Sequence, residues 1–111
     1  MERRSDCPLN CFLELLGDKW TLLILRDILF FGKRHFSEFS ESREGIATNI
    51  LSNRLASLVH NGFLVKESDA FNKQRNNYIP TKKAEGLKPV LLSIVDWAIE
   101  HEEGVWDIRK G

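Results

Sequence analysis

The stretch GIATNILSNRLASLVHNG, residues 45–62, has the pattern of an amphipathic helix with glycine at each end. Projected at about 100° per residue, residues 46–61 separate into an apolar and a polar side. The apolar side consists of Ala47, Leu51, Leu55, Leu58 and Val59. The polar side consists of Asn49, Asn53, Ser57 and His60, flanked by Ile50 and Arg54. One side is therefore predicted to pack on a core, while the other offers amides, hydroxyls and a guanidinium.

A short helix is predicted before this segment and a hairpin after it. Residues 37–42 form the short helix, and the Gly-containing turn at 43–45 joins the two helices, which is the helix-turn-helix arrangement. Two strands, residues 63–67 and 78–80, enclose the polar segment FNKQRN, residues 71–76. A helix-turn-helix followed by a cationic hairpin predicts an α+β winged helix-turn-helix fold.

Two further helices are predicted before this unit. Pro8 opens the first and Gly17 closes it. Asp18 is the predicted N-cap of the second, residues 19–31, which is apolar on most of its circumference and is expected to form the buried centre. Residues 33–35 are too short for an independent strand but fit a third, edge strand of the sheet.

A long last helix is predicted after the hairpin. Thr81 caps it, and an interruption is expected near Gly86 because Pro89 is tolerated only where a new helical turn begins. The helix carries more apolar positions than one packed face needs. We therefore expect the first and last helices to form a homodimer interface. The predicted interface residues are Phe12, Leu13, Leu16, Leu91, Ile94, Val95 and Ala98.

The chain has 111 residues and a formal net charge of zero, so it fits one globular domain without an overall basic field. The charge is unevenly distributed. Residues 71–83 carry four cations and no acid, whereas residues 84–107 carry six acids and one lysine. This asymmetry suits a protein that binds an anion at one edge, although a solvated surface of mixed charge has the same pattern.

Duplex DNA is the partner predicted for the polar helix and the hairpin. The first half of such a helix reaches base edges, and the candidates are Thr48, Asn49, Ile50, Asn53 and Arg54, followed by Ser57. The hairpin, or wing, has four candidates for backbone contacts, Lys73, Gln74, Arg75 and Asn76. Arg34 is a weaker phosphate candidate. A solvated helix face and a solvated turn are the alternatives for both elements.

Catalytic and metal sites are poorly supported by the sequence. The three histidines have no metal-ligand partner at a diagnostic spacing, and phosphate-binding glycine loops are absent, so neither a metal nor a cofactor is predicted. No apolar run reaches membrane-spanning length, and the N-terminus lacks the apolar core of a signal peptide. We therefore expect a cytoplasmic protein with Cys7 and Cys11 as reduced thiols.

Several motifs together resemble one family. They are Cys7-Pro8, Gly17-Asp18-Lys19-Trp20-Thr21, Arg34-His35-Phe36-Ser37-Glu38-Phe39, Leu51-Ser52-Asn53-Arg54-Leu55, Asn61-Gly62-Phe63-Leu64, and Pro89-Val90-Leu91 with Ile94 and Trp97. This combination is similar to the HxlR family of bacterial winged-helix regulators. The resemblance covers residues 7–105, leaving residues 1–6 and 106–111 as flexible tails. Pro80 and a wing without prolines depart from the family pattern and affect the expected wing shape.

The resemblance implies a homodimeric, DNA-binding transcription regulator whose first and last helices form the interface. It also implies that Cys7 is a candidate sensor of electrophiles or oxidants, since some relatives use a cysteine at this position. We therefore predict binding to a pseudo-palindromic operator; the target genes and the inducer cannot be deduced from the sequence. The alternatives are a winged-helix module that binds proteins and a thiol redox enzyme using Cys7 and Cys11.

Overall fold

The computed structural model describes residues 3–72 and 74–110. Six α-helices, two strands and a final 3-10 turn follow one another in these residues. They are α1 (Pro8–Leu16), α2 (Thr21–Phe31), α3 (Phe36–Ser40), α4 (Thr48–His60), β1 (Leu64–Ser68), β2 (Asn76–Pro80), α5 (Lys82–Glu85), α6 (Lys88–His101) and the turn Ile108–Lys110. Among the described residues, no helix has the length and apolar character needed to cross a membrane.

Helix α2 is the centre of the core, as its apolar circumference predicts. Residues 24–28 are buried without interruption. The helix begins two residues later than predicted, because Lys19 and Trp20 form a turn. Asp18 nevertheless satisfies the first turn, since its Oδ2 accepts hydrogen bonds from the backbone N–H groups of Trp20 (3.0 Å) and Thr21 (3.1 Å). The N-cap position itself is occupied by Trp20.

Helices α3 and α4 form the predicted helix-turn-helix. Phe39 of α3 and Leu51, Leu55 and Leu58 of α4 are buried in the same core cluster. Gly45 in the connecting turn has φ +68°, a conformation that other residues adopt at a cost. Ala47, predicted on the apolar side, precedes α4 as its N-cap residue and is exposed.

Strands β1 and β2 form the predicted antiparallel hairpin, with Val65 opposite Ile79 and Leu64 opposite Pro80. The third strand predicted at residues 33–35 is wrong: the described sheet has two strands. One backbone hydrogen bond remains there, from the Tyr78 N–H to the Arg34 carbonyl (2.8 Å). Pro80 fits at the end of β2 because it needs no ladder donor there.

The last predicted helix is divided into α5 and α6. The Thr81 hydroxyl accepts a hydrogen bond from the Ala84 N–H, which caps α5 as predicted. A turn at residues 86–87 separates the two helices, and Pro89 stands in the first turn of α6, where its missing N–H costs nothing. Leu91 anchors α6 in the core and is 6% exposed.

A charge network connects α2 with the helix-turn-helix. The Asp27 side chain is 1% exposed, and its Oδ1 accepts from Arg26 Nε (3.1 Å) and NH2 (2.9 Å). Arg26 also donates to both carboxylate oxygens of Glu44, at 2.7 and 2.8 Å. Lys33 Nζ (3.3 Å) and the Ser42 hydroxyl donate to Asp27 Oδ2. The network therefore fixes the turn between α3 and α4 against the buried centre.

The segment after α6, predicted to be flexible from residue 106, lies along α2 and α6. The Trp106 ring packs against Phe31, with centroids 5.7 Å apart, and the Arg43 guanidinium lies 4.1 Å from its centroid. Arg109 NH1 lies 2.8 Å from Asp96 Oδ1 of α6. We call residues 105–109 the C-terminal strap. It connects α6 with Arg43, which precedes Glu44 in the turn between α3 and α4.

Candidate nucleic-acid interface

The outer side of α4 is open to solvent in its first half. Thr48, Asn49 and Asn53 are exposed, whereas Ile50 is half-buried and packs against the core. Asn and Thr side chains carry donors and acceptors that match base edges. The structure therefore keeps three of the predicted side chains available on one surface and gives Ile50 a packing role.

Arg54 differs from the other α4 candidates because it has a partner within the protein. Its Nε lies 3.0 Å from Asp18 Oδ2, at an angle that does not make a hydrogen bond, and the two side chains are 35% and 27% exposed. Its NH1 donates to Asn53 Oδ1 at 3.2 Å. Asp18 thus connects α4 with the start of α2, and Arg54 offers only part of its guanidinium to a ligand.

Ser57, predicted to contact DNA, faces another side of α4. It is half-buried, and its hydroxyl accepts a hydrogen bond from Asn61 Nδ2 at 3.4 Å. Together with Cys11 and Glu14 of α1 it lines a cavity of about 450 Å³ between α1 and the end of α4. This position contributes to the contact surface between α1 and α4 rather than to the exposed start of α4.

Ser52 and Ala56 belong to the exposed side of α4, although the sequence argument omitted them. They line a cleft of about 390 Å³ together with His60 and with Lys66 and Tyr78 of the hairpin. The cleft makes the outer side of α4 continuous with the sheet. Their signal in the sequence is the spacing from Asn49, since residues three and seven positions further on share its side of a helix.

Three of the four wing candidates lie in the described part of the chain, and Lys73 lies outside it. Gln74 is exposed, Asn76 is half-buried as the first residue of β2, and the Arg75 side chain is 44% exposed. Phe71, which no prediction singled out as a contact, is 97% exposed at the wing tip. The wing therefore presents a cation, amides and an aromatic ring.

Asp69 organises the base of the wing and was also missed. It is 6% exposed, although it directly follows β1. Its Oδ1 accepts from the N–H groups of Phe71 (2.8 Å) and Asn72 (3.1 Å), while its Oδ2 accepts from Arg75 Nε (3.1 Å). The donated hydrogen bonds, first that from the Phe71 N–H, lower the pKa of the Asp69 carboxyl. Aspartate is a common turn residue, and this was the available signal.

Arg34, the weaker phosphate candidate, has hydrogen-bond partners within the protein. Its NH1 donates to the carbonyl oxygens of Ile28 (3.0 Å) and Lys33 (2.8 Å). The last carbonyls of a helix lack intrahelical donors, so this guanidinium satisfies the end of α2. Its first role is therefore structural.

The predicted interface residues divide between the core and the surface. Leu16 and Leu91 are buried within the protomer at 2% and 6% exposure, so they support the surface from beneath. Leu13 (55%) and Ile94 (45%) are exposed. Further large apolar side chains are exposed on the same two helices, namely Leu9 on α1 and Val90 and Trp97 on α6. The remaining candidates Phe12, Val95 and Ala98 are half-buried.

Cys7 is the exposed one of the two thiols and precedes the first turn of α1. The backbone N–H groups of Asn10 and then Leu9 lower the pKa of its thiol. Thiolate is the reactive form of cysteine, so this placement favours reaction with electrophiles. Cys11, one turn later, is half-buried in the cavity between α1 and α4.

The model of the HxlR-like helix-turn-helix family matches residues 15–105. The chain belongs to the HxlR family. An HTH-type transcriptional regulator of Mycobacterium tuberculosis, itself uncharacterized, is 35% identical over 89 residues, covering 80% of this chain and 55% of the relative. The HxlR-family chain thus spans about half the length of the mycobacterial relatives it matches.

Two solved structures extend the comparison of this HxlR-family chain. PA1607, provisionally assigned as a transcription factor, has a TM-score of 0.81 and 33% identity, covering 93% of this chain and 72% of the other. Quinone-bound YodB from Bacillus subtilis has a TM-score of 0.67 and 28% identity, covering 85% and 99%. These matches confirm the winged helix-turn-helix fold. The family and the relatives that this chain matches are transcriptional regulators and not enzymes, so the comparisons do not support the alternative of a thiol redox enzyme.

Proposed function

We propose that this regulator binds duplex DNA as a homodimer and recognises a pseudo-palindromic operator in the bacterial cytoplasm. The observation that carries the proposal is the exposed polar start of α4, which is continuous with the sheet through the cleft at Ser52 and Lys66. A helix of this kind enters the major groove, and a wing beside it reaches the adjacent backbone.

Base contacts are assigned to Thr48, Asn49 and Asn53. Asn pairs well with the N6 and N7 atoms of adenine, and each lost bidentate contact costs about 1–3 kcal/mol of discrimination. Arg54, Lys73, Gln74, Arg75 and Asn76 supply phosphate or sugar contacts in this proposal, as does the exposed Lys66. Phosphate contacts carry most of the affinity and make it depend on salt.

The homodimer is supported by exposed apolar side chains on α1 and α6. Leu9 is 75% exposed and Trp97 is 59% exposed, which is costly for a free surface but suited to an interface. Two α4 helices related by a twofold axis would meet half-sites about 34–36 Å apart. We expect Ile94→Glu to yield monomers in analytical ultracentrifugation, with weaker operator binding. A dimer that persists in this variant would contradict the interface on α6.

Regulation through Cys7 is the finer part of the proposal. The exposed thiol with a lowered pKa and the structural likeness to quinone-bound YodB both support it. Operator affinity is measured before and after diamide or a quinone in wild type, in Cys7→Ser and in the control Cys11→Ser. We expect wild type and Cys11→Ser to lose affinity and Cys7→Ser to be insensitive. Unchanged wild-type affinity would remove Cys7 from the proposal.

The principal experiment is binding to a randomised duplex pool, followed by titration of a selected sequence at several salt concentrations. Asn49→Ala and Asn53→Ala should relax sequence preference, whereas Lys73→Ala with Arg75→Ala should weaken binding to every sequence and flatten the salt dependence. The control is Lys110→Ala, which removes a cation far along the chain from the wing. Absence of salt-dependent DNA binding would favour the alternative of a protein-interaction module.

A further inference from the structure

The wing loop is folded around one carboxylate. Asp69 is 6% exposed and receives hydrogen bonds from two backbone N–H groups and from Arg75 Nε within a segment of seven residues. The loop is also closed by the backbone, because the Asp69 N–H donates to the Arg75 carbonyl at 2.9 Å. Side chain and main chain therefore both connect Asp69 with Arg75.

The contact leaves part of Arg75 available. Nε (3.1 Å) and NH2 (2.9 Å) face Asp69 Oδ2, so one edge of the guanidinium is occupied. The side chain is 44% exposed, and no other ion pair is assigned to it in residues 3–72 and 74–110. A guanidinium held along one edge presents its remaining N–H groups in a fixed direction, which a free arginine does not.

The same carboxylate lies beside the helix-turn-helix. His35 Nε2, at the start of α3, is 3.8 Å from Asp69 Oδ2, and His35 Nδ1 is 3.4 Å from the Asn76 carbonyl oxygen. A cleft of about 370 Å³ is lined by Phe36 and Ser37 on one side and by Gln74 and Arg75 on the other. The direction of Arg75 is thus defined relative to the start of α3 as well as to the loop.

We propose that Asp69 is a positioning residue that holds Arg75 in the orientation in which it contacts the DNA backbone. The inference rests on the proposed DNA-binding function. Holding the side chain in advance removes rotamer freedom that a free arginine loses when it binds phosphate. Asp69 therefore promotes binding to a polyanion despite its own negative charge.

Whether removal of the Asp69 charge weakens or strengthens DNA binding distinguishes a positioning role from simple electrostatics. Removing a negative charge near DNA strengthens binding when charge alone matters. Glu67→Gln, on the exposed side of β1, is the matched control because it removes one charge from the same hairpin without touching Arg75. We expect Glu67→Gln to leave affinity unchanged or higher, and Asp69→Asn to lower it by about threefold to tenfold, on the order of one phosphate contact.

A double-mutant cycle with Arg75→Gln tests whether Asp69 acts through Arg75. Affinity for a selected duplex and its salt slope are measured for wild type, both single variants and the double variant. We expect Asp69→Asn to flatten the slope by up to about 0.9 in wild type and to have no effect in the Arg75→Gln background. A role in folding alone would reduce affinity equally in both backgrounds.

Two results would overturn the inference. One is an Asp69→Asn protein that binds duplex DNA as tightly as wild type or more tightly, which is the result expected for the Glu67→Gln control. The other is an equal effect of Asp69→Asn with and without Arg75. If the wild-type protein binds no duplex DNA at low salt, the proposed function itself is wrong and this inference falls with it, so the two failures are distinguishable.

Discussion

Asp27 and Asp69 are both nearly inaccessible carboxylates, at 1% and 6% exposure, but they are satisfied in opposite ways. Asp27 receives side-chain donors from three parts of the chain: Arg26 in α2, Lys33 after α2 and Ser42 after α3. Asp69 receives donors from its own loop, two of them backbone N–H groups. The first carboxylate holds elements together, whereas the second shapes a loop. Equal burial therefore does not imply an equal contribution to stability.

Arg26→Met should have the largest effect on folding. It keeps the apolar stem but removes the guanidinium that pairs with Asp27 and Glu44, leaving a buried carboxylate with fewer donors. Breaking a buried pair costs about 3–5 kcal/mol. Urea denaturation followed by circular dichroism measures this loss. A decrease below about 1 kcal/mol, the value of an exposed pair, would show that the network behaves like a surface one.

The second prediction concerns the stability of the protein at acidic pH, to which carboxylates of both regions contribute. The hydrogen bonds from Arg26 lower the pKa of the Glu44 carboxyl, and those from the Phe71 N–H and its neighbours lower the pKa of Asp69. Because both folded-state values are lowered, the stabilisation is present above the unfolded values of about 3.9–4.3 and is lost as pH falls through the folded ones. Urea midpoints between pH 7 and pH 3 should fall less steeply in Arg26→Met than in wild type.

Asp69→Asn should lower the free energy of unfolding clearly less than Arg26→Met does. Its partners lie within one loop, so losing them opens the wing without separating helices. Chymotrypsin provides the local measurement, because Phe71 is exposed at the tip. Cleavage after Phe71 should accelerate in Asp69→Asn while the urea midpoint changes little. Slow cleavage combined with a large shift of the urea midpoint would mean that Asp69 stabilises the whole fold and not the wing loop alone.

Phe71→Ala should have the smallest effect on stability. At 97% exposure the ring buries almost nothing, so a change within about 0.5 kcal/mol is expected. Thermal unfolding checks this. A loss above about 1 kcal/mol would mean that the wing tip packs on another part of the molecule. Weaker DNA binding without a stability change would instead assign the ring to the interface.

The order of elements was predictable because its signals are local. The period of α4, the breaks at Gly17 and Gly62, and the cap at Thr81 all operate within a few residues. The same patterns defined the start of α4 as the candidate site. They also failed locally: residues 33–35 were predicted as an edge strand, but in the described residues they share a single backbone hydrogen bond with β2, from the Tyr78 N–H to the Arg34 carbonyl.

Partners far apart in the chain were not predictable. Arg26 and Glu44 are separated by 18 positions, and their pairing depends on how α3 turns over α2. The available signal was two adjacent charges, Arg26 and Asp27, inside an otherwise apolar helix, where burial requires a partner. Arg34 was predicted to contact phosphate from its charge alone. Its partners are the backbone carbonyls of Ile28 and Lys33, and because every residue has such a carbonyl, the sequence does not indicate this contact.

The network around Asp27 also limits how this sequence can diverge. Replacing Arg26, Asp27 or Glu44 alone removes one partner from the network and leaves the remaining charges less well paired, whereas exchanging the set for apolar residues of similar volume is often tolerated. Single substitutions at these positions would therefore be selected against, and accepted changes would occur together. Lys33 and Ser42 should follow them, since both donate to the same carboxylate. Covariation of these five positions among homologues is the evolutionary record that this arrangement would leave.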